Sequence, residues 1–338
     1  MSHSLRTAIV LLFLLVLSLP ACSRNRDEES SNQQQLRSDA IGVVTTVGML
    51  ADMASELAGD CADVEALMGA GVDPHLYRAS AGDLQTLGGA DMILYGGLSL
   101  EGAMGEVLAR MSERTTAYAA LEAVEQEQLM QLHNSAGHYD PHLWNDVGMW
   151  LQVMPGVEQA MAERVPSCAD QIHQNGDLLA TRLVALDTWA RESAETVPEA
   201  VRVLVTAHDA FEYFGRAYGF EVLGIQGVST ASEAGVADIQ RVAGIIAERR
   251  IPALFVESSV NPRNIQAVRE AVESRGWEVA IGGELFSDAM GQAGTWRGTY
   301  IGMIRHNVAQ VVTALGGQPA PWPDELQYWA DQWAIEGF

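Results

Sequence analysis

Over residues 167–197 the chain carries Ile172, Leu179, Leu183, Leu186, Ala190, Ala194 and Val197 at three-, four- and seven-residue steps. That spacing lays one apolar face along a single helix of about thirty residues, roughly 45 Å long at 1.5 Å per residue. Such a helix is too long for one small α/β domain, and it sits at mid-chain. A helix connecting two lobes fits the pattern better than a surface helix on either one.

Short β-branched or apolar runs alternate with helical stretches on both sides of it. Before it, strands are expected at 41–47, 64–68, 92–95 and 115–119, and helices at 49–58, 81–87, 100–111 and 150–163. After it, strands are expected at 202–206, 221–225, 253–257 and 278–281, and helices at 210–218, 237–249, 262–274 and 300–315. The tail past Pro323 spaces Tyr328, Trp329 and Trp333 nearly helically and is expected to dock on the second lobe. Alternation at this spacing indicates parallel α/β units. The expected fold is α/β, with two lobes, each a mainly parallel sheet with flanking helices, joined by one long connecting helix. The corresponding domains are 41–166, 167–197 and 198–338.

The residues before 41 read as targeting rather than fold. Arg6 supplies a small positive region, and Ala8 begins an apolar run too short to span a bilayer. The run ends in Leu19-Pro20-Ala21-Cys22, which resembles a bacterial lipobox, so 1–21 is a signal peptide and Cys22 the expected lipidation site. Residues 22–40 are polar and read as a flexible tether. A lipid-anchored, extracytoplasmic protein follows. In that compartment Cys61 and Cys168 could pair as a disulfide. The chain holds 44 acidic residues against 20 basic ones, every one an arginine. That balance argues against nucleic-acid binding and favours cationic ligands.

Asp73-Pro74-His75 and Asp140-Pro141-His142 repeat a triplet 67 residues apart. Proline fixes its own φ and extends the residue before it, so each triplet is a stiff loop presenting an imidazole in one direction. His208 follows another apolar β-branched run, 66 residues after His142. Asp288 lies in the loop after the strand expected at 278–281. In parallel α/β sheets, ligand sites lie beyond the carboxyl ends of strands. Three imidazoles and one carboxylate form a set suited to Zn²⁺, with Mn²⁺ or Fe²⁺ acceptable. His133, His138, His173 and His306 read as ordinary surface or core residues, with an accessory role in metal capture open to the loop residues His133 and His138. Asp209 reads as a helix-start carboxylate, and Asp73 and Asp140 as braces of their loops through backbone bonds.

The ordered set Gly71-Val72-Asp73-Pro74-His75, Asp140-Pro141-His142-Leu143-Trp144, Thr206-Ala207-His208-Asp209, Phe255-Val256-Glu257-Ser258-Ser259, Leu285-Phe286-Ser287-Asp288-Ala289-Met290-Gly291 and Gly298-Thr299-Tyr300 carries a resemblance. From Ile41 to Gly317 the chain resembles the zinc/manganese-binding lipoproteins (solute-binding proteins) of bacterial metal ABC importers, including the treponemal receptor group. The resemblance implies a metal held between the lobes by His75, His142, His208 and Asp288, and an ABC permease as partner. It also implies a divalent metal ion as cargo rather than a reaction, a monomer, and release by local loop rearrangement more than wide lobe closure. The long His-rich loop of some zinc-specific relatives is missing, and the third position is His208 where manganese-specific relatives carry glutamate.

Three other readings compete. A zinc-dependent hydrolase keeps a coordination position open for water, and the chain carries no His-Glu-x-x-His helix, nucleophile elbow or P-loop. A surface adhesin lipoprotein would need no metal. An organic-ligand receptor of similar shape would not require histidines at these strand ends.

Overall fold

Residues 40–132 and 137–335 are described by the structure, a computed structural model. The expected signal peptide, the tether up to Asp39, Cys22 and His133 lie outside the described residues.

β1 (Ile41–Thr45) is an apolar run because it is central: strands β2 (Ala62–Ala66), β3 (Met92–Tyr95) and β4 (Thr116–Ala119) complete a parallel sheet in the order β2-β1-β3-β4. Parallel neighbours require crossovers. Helices α1 (Gly48–Ala58), α2 (Ala81–Gly89) and α3 (Gly105–Ser112) lie along those connections. In α1, Met49, Leu50, Met53 and Leu57 recur at helical spacing and are all buried. A capping box starts α2: Ser80 Oγ accepts from Asp83 N–H at 3.2 Å, and Asp83 Oδ2 accepts from Ser80 N–H at 2.6 Å.

The helix expected over 100–111 begins later than its apolar spacing suggests. Gly97, Leu98 and Ser99 all have positive φ, and a short 3₁₀ turn at Gly102–Met104 precedes α3. This turn folds the buried Glu101 carboxylate back onto Gly96 N–H at 2.6 Å and Thr46 Oγ–H at 2.6 Å. Helix α4 (Val147–Arg164) starts earlier than expected because Asp146 caps it, accepting from Met149 N–H at 3.2 Å.

The connecting helix α5 (Ala169–Glu195) has 27 residues, about 40 Å. Pro166–Cys168 forms a 3₁₀ turn that delays its start. Its buried face carries Ile172, Leu179, Leu183, Leu186, Ala190 and Ala194, as the spacing predicts, together with Trp189. It packs on α1 and α4 and, in the second half, on α9 (Tyr300–Ala314).

The second half pairs β5 (Val203–Thr206) with β6 (Glu221–Gly224), and β7 (Ala253–Glu257) with β8 (Ala280–Leu285), each pair parallel. β5 lies beside β7. Helices α6 (Glu212–Tyr218), α7 (Val236–Arg249) and α8 (Arg263–Glu273) complete this half, and Val205, Ile246, Leu254, Ile265 and Val268 share its core. The strand expected over 278–281 begins instead at Ala280 and continues through Gly282 and Gly283. A Cβ on Gly282 would lie 2.5 Å from the Phe255 ring, and Gly283 has φ +134°, so the two glycines permit the strand rather than end it.

The tail forms α10 (Gln327–Gln332) and docks on α5 as well as on the second half. Trp189 Nε1 donates to Ala320 O at 2.9 Å, and Trp329 Nε1 donates to Thr299 Oγ1 at 3.3 Å. Cys61 and Cys168 are joined in a disulfide, tying the residue before β2 to the residue before α5 across 107 residues of chain. A cross-link of this kind contributes roughly 2–4 kcal/mol.

Candidate metal centre

Each candidate ligand leaves a strand or a stiff loop, and a carboxylate fixes its backbone or its ring. Asp73 Oδ1 accepts from His75 N–H at 2.9 Å, and Asp140 Oδ1 accepts from His142 N–H at 2.9 Å. The two Asp-Pro-His loops therefore share one local turn, with aspartate as the brace expected from the sequence. Asp140 Oδ1 also lies 2.7 Å from His142 Nδ1. His208 follows β5. Its N–H donates to Glu257 Oε1 at 2.9 Å, and its Nδ1 lies 2.6 Å from Glu257 Oε2. With Nδ1–H given to a carboxylate, the Nε2 lone pairs of His142 and His208 are left to face inward.

Asp288 follows β8 and sits between them. Its Oδ1 is 3.3 Å from His142 Nε2, and its Oδ2 is 3.3 Å from His208 Nε2. His75 Nε2 is 3.2 Å from His142 Nε2. One donor atom from each of the four residues lies within 4.8 Å of all the others. All four side chains are buried, His75 least so at 6% exposure. His208 Nε2 and Asp288 Oδ1 are buried without a hydrogen-bond partner. Orphaned donors aimed at one point suit a cation better than a core.

The family model described as zinc-uptake complex component A, periplasmic, matches residues 43–314. The chain belongs to that family. It is 48% identical over 273 residues to the zinc-binding protein TroA of Treponema pallidum, covering 81% of this chain and 88% of that one. It is 41% identical over 298 residues to the manganese-binding lipoprotein MntA of Bacillus subtilis, covering 88% and 95%. The solved structure of the periplasmic zinc-binding protein TroA superposes with a TM-score of 0.80 at 47% identity, covering 82% of this chain and 99% of that one. An Fe(III)-bound YtgA from Chlamydia trachomatis gives 0.75 at 25% identity, covering 83% and 100%. The two-lobed architecture joined by a long helix is thus that of the zinc-uptake family.

The electrostatics of this family member's cluster divide the three imidazoles. Burial alone would lower His142, but Asp140 and then Asp288 outweigh it and push it up to about 9. Burial likewise opposes the charge on His208, and Asp288 and Glu257 raise it well above the ordinary value. Burial lowers His75 to about 4; Asp288 opposes that fall, and His142 adds to it. Burial would raise Asp288, but His208 and His142 hold it well below the usual carboxylate range. The same close contacts therefore raise His142 and His208 and lower Asp288, favouring charge on all three.

The role of Glu257 is not legible in the sequence. Its signal is a lone acid closing the apolar run of β7, beside the strand that delivers His208. Asp209 is not the helix-start carboxylate expected. α6 begins at Glu212, and Asp209 Oδ1 is buried without a hydrogen-bond partner. Burial, then Glu212 and Asp140, raise Asp209 to about 7. His138 is exposed, His173 pairs with Glu158 on the surface at 2.5 Å, and His306 faces Glu284 O at 2.9 Å; none joins the cluster.

Proposed function

We propose that this protein is an extracytoplasmic receptor that holds Zn²⁺, with Mn²⁺ as the competing cargo, on His75, His142, His208 and Asp288, and passes it to an ABC permease. The observation that carries this reading is the spacing of the donors. A tetrahedral ion with bonds of about 2.0–2.1 Å has donor–donor edges of about 3.3–3.4 Å. Three donor–donor distances in the cluster measure 3.2–3.3 Å, two of them to different oxygens of Asp288. Asp288 turns one oxygen to His142 and the other to His208, so a two-oxygen grip is open to an ion that accepts five donors. The relatives' names include both zinc and manganese, whereas the donor set favours zinc: imidazole nitrogen is the softer ligand. Fe²⁺ is a weaker candidate on the same ground.

Competition between Zn²⁺ and Mn²⁺ for the purified protein tests the preference, and Zn²⁺ is expected to win. Replacing His208 by Glu should lower the Zn²⁺/Mn²⁺ affinity ratio by at least about tenfold. The swap also sets two carboxylates face to face, because Glu257 holds the His208 ring. His208→Glu with Glu257→Gln is therefore the cleaner variant. A ratio that does not move would refute the role of His208 in selection.

A hydrolase reading has no support in this arrangement, because the protein supplies every donor, four to a tetrahedral ion or five with both Asp288 oxygens, and keeps no position for an attacking water. We take 41–166 and 198–338 as the lobes and 167–197 as the connector, in a monomer. No helix among the described residues is long and apolar enough to cross a membrane. Membrane attachment is assigned to acylated Cys22. Cys22→Ala should release the protein from the membrane fraction, and a variant that still sediments with membranes like the parent would refute the anchor.

A further inference from the structure

The two Asp-Pro-His loops share a local turn but are held across the cleft very differently. The His142 loop is tied to the second half at several points. Tyr213 Oη–H donates to Asp140 O at 3.1 Å, Trp144 Nε1 to Ser287 O at 2.7 Å, Tyr300 Oη–H to Trp144 O at 2.8 Å, and Asn145 Nδ2 to Ala210 O at 2.8 Å. These ties lock His142 to the strand ends that carry His208 and Asp288.

The His75 loop lies between two cavities. One, of about 750 Å³, borders Gly71 and Ser258; the other, of about 360 Å³, borders Asp73, Leu76, Thr230 and Ser259. Leu76, at the loop's tip, is 52% exposed. Among the described residues, one hydrogen bond joins this loop to the second half: Thr230 Oγ1–H donates to Asp73 Oδ2 at 2.6 Å. The other oxygen of the same carboxylate holds His75 N–H. Thr230 therefore acts on His75 through a single rigid group. The smaller cavity also touches Ser259, whose Oγ is 3.4 Å from Asp288 Oδ2, so it leads from solvent to the edge of the ligand set.

We infer that Thr230 is a positioning residue that sets how long the ion is retained: its bond to Asp73 fixes the carboxylate that holds His75 over the site. The inference rests on the metal-receptor reading. It deepens that reading by naming the residue outside the ligand set that restrains His75.

The test loads full-length protein with Zn²⁺ and follows its loss to excess chelator by stopped flow. Thr230→Val keeps the shape and removes the hydroxyl. It should speed release about tenfold, the low end for residues that support a ligand, while leaving the unfolding temperature of the metal-free protein unchanged. Thr230→Ser restores the hydroxyl and should return the rate toward that of the parent. Unchanged release in Thr230→Val, or release from Thr230→Ser as fast as from Thr230→Val, overturns the assignment. So does a fall in metal-free unfolding temperature that accounts for the faster loss. A parent protein that takes up no Zn²⁺ overturns the receptor reading itself, which is a different result.

Discussion

Between pH 5 and pH 7 the affinity for Zn²⁺ is expected to rise about 10⁴-fold, because about two protons leave for every ion bound. The sign follows from the imidazoles. His142 is pushed up to about 9 and His208 well above its ordinary value, so both hold protons in the metal-free protein at neutral pH. Zn²⁺ needs their Nε2 lone pairs and must displace those protons, so falling pH favours the protonated, empty site. His75, lowered to about 4, is already neutral across this window and adds no proton. Three unperturbed imidazoles near 6.5 would behave otherwise, releasing up to three protons below that pH and almost none at pH 8. Calorimetry in buffers of different ionisation enthalpy counts the protons directly. About two per ion at pH 7 is expected; fewer than one at pH 7, with affinity level above neutrality, would contradict the raised imidazoles.

Excess Zn²⁺ should raise the unfolding temperature of the whole protein, since an ion bound only to the folded state stabilises it by about 4 kcal/mol at a thousandfold excess over Kd. His75→Ala, His142→Ala, His208→Ala and Asp288→Ala should each remove most of that shift. The readout is the difference with and without metal rather than the absolute temperature. His208→Ala strands Glu257, and Asp288→Ala removes the carboxylate that faces both His142 and His208, so both also disturb the metal-free protein. His173→Ala is the control: it breaks a surface pair with Glu158 outside the cluster and should leave the shift intact. Four ligand variants that respond like the parent would refute the ligand set.

Local rules made much of this legible in the sequence. β3 and β7 appear at their expected boundaries, because each is a short apolar run closed by turn residues. The connecting helix follows from its spacing, and the Asp73 and Asp140 braces follow from the stiffness that proline imposes. What stayed hidden depends on partners remote in the chain. Gly282 and Gly283 read as a loop until Phe255 is seen packed against them. Glu257 reads as a strand-end acid until His208, 49 residues away, turns its ring toward it. The Trp144–Ser287 bond spans 143 residues, and no periodicity encodes it. Asp209 misled for a similar reason: two residues lie between the end of β5 and its place beside the cluster, and α6 starts only at Glu212.

The most direct measurement is anomalous diffraction from crystals of the protein saturated with Zn²⁺, recorded on either side of the zinc edge. The account predicts one peak, buried between the two halves, at about 2.0–2.1 Å from Nε2 of His75, His142 and His208 and within bonding distance of the Asp288 carboxylate. A peak at another place, such as beside His173 and Glu158, or no peak from saturated protein, would contradict it.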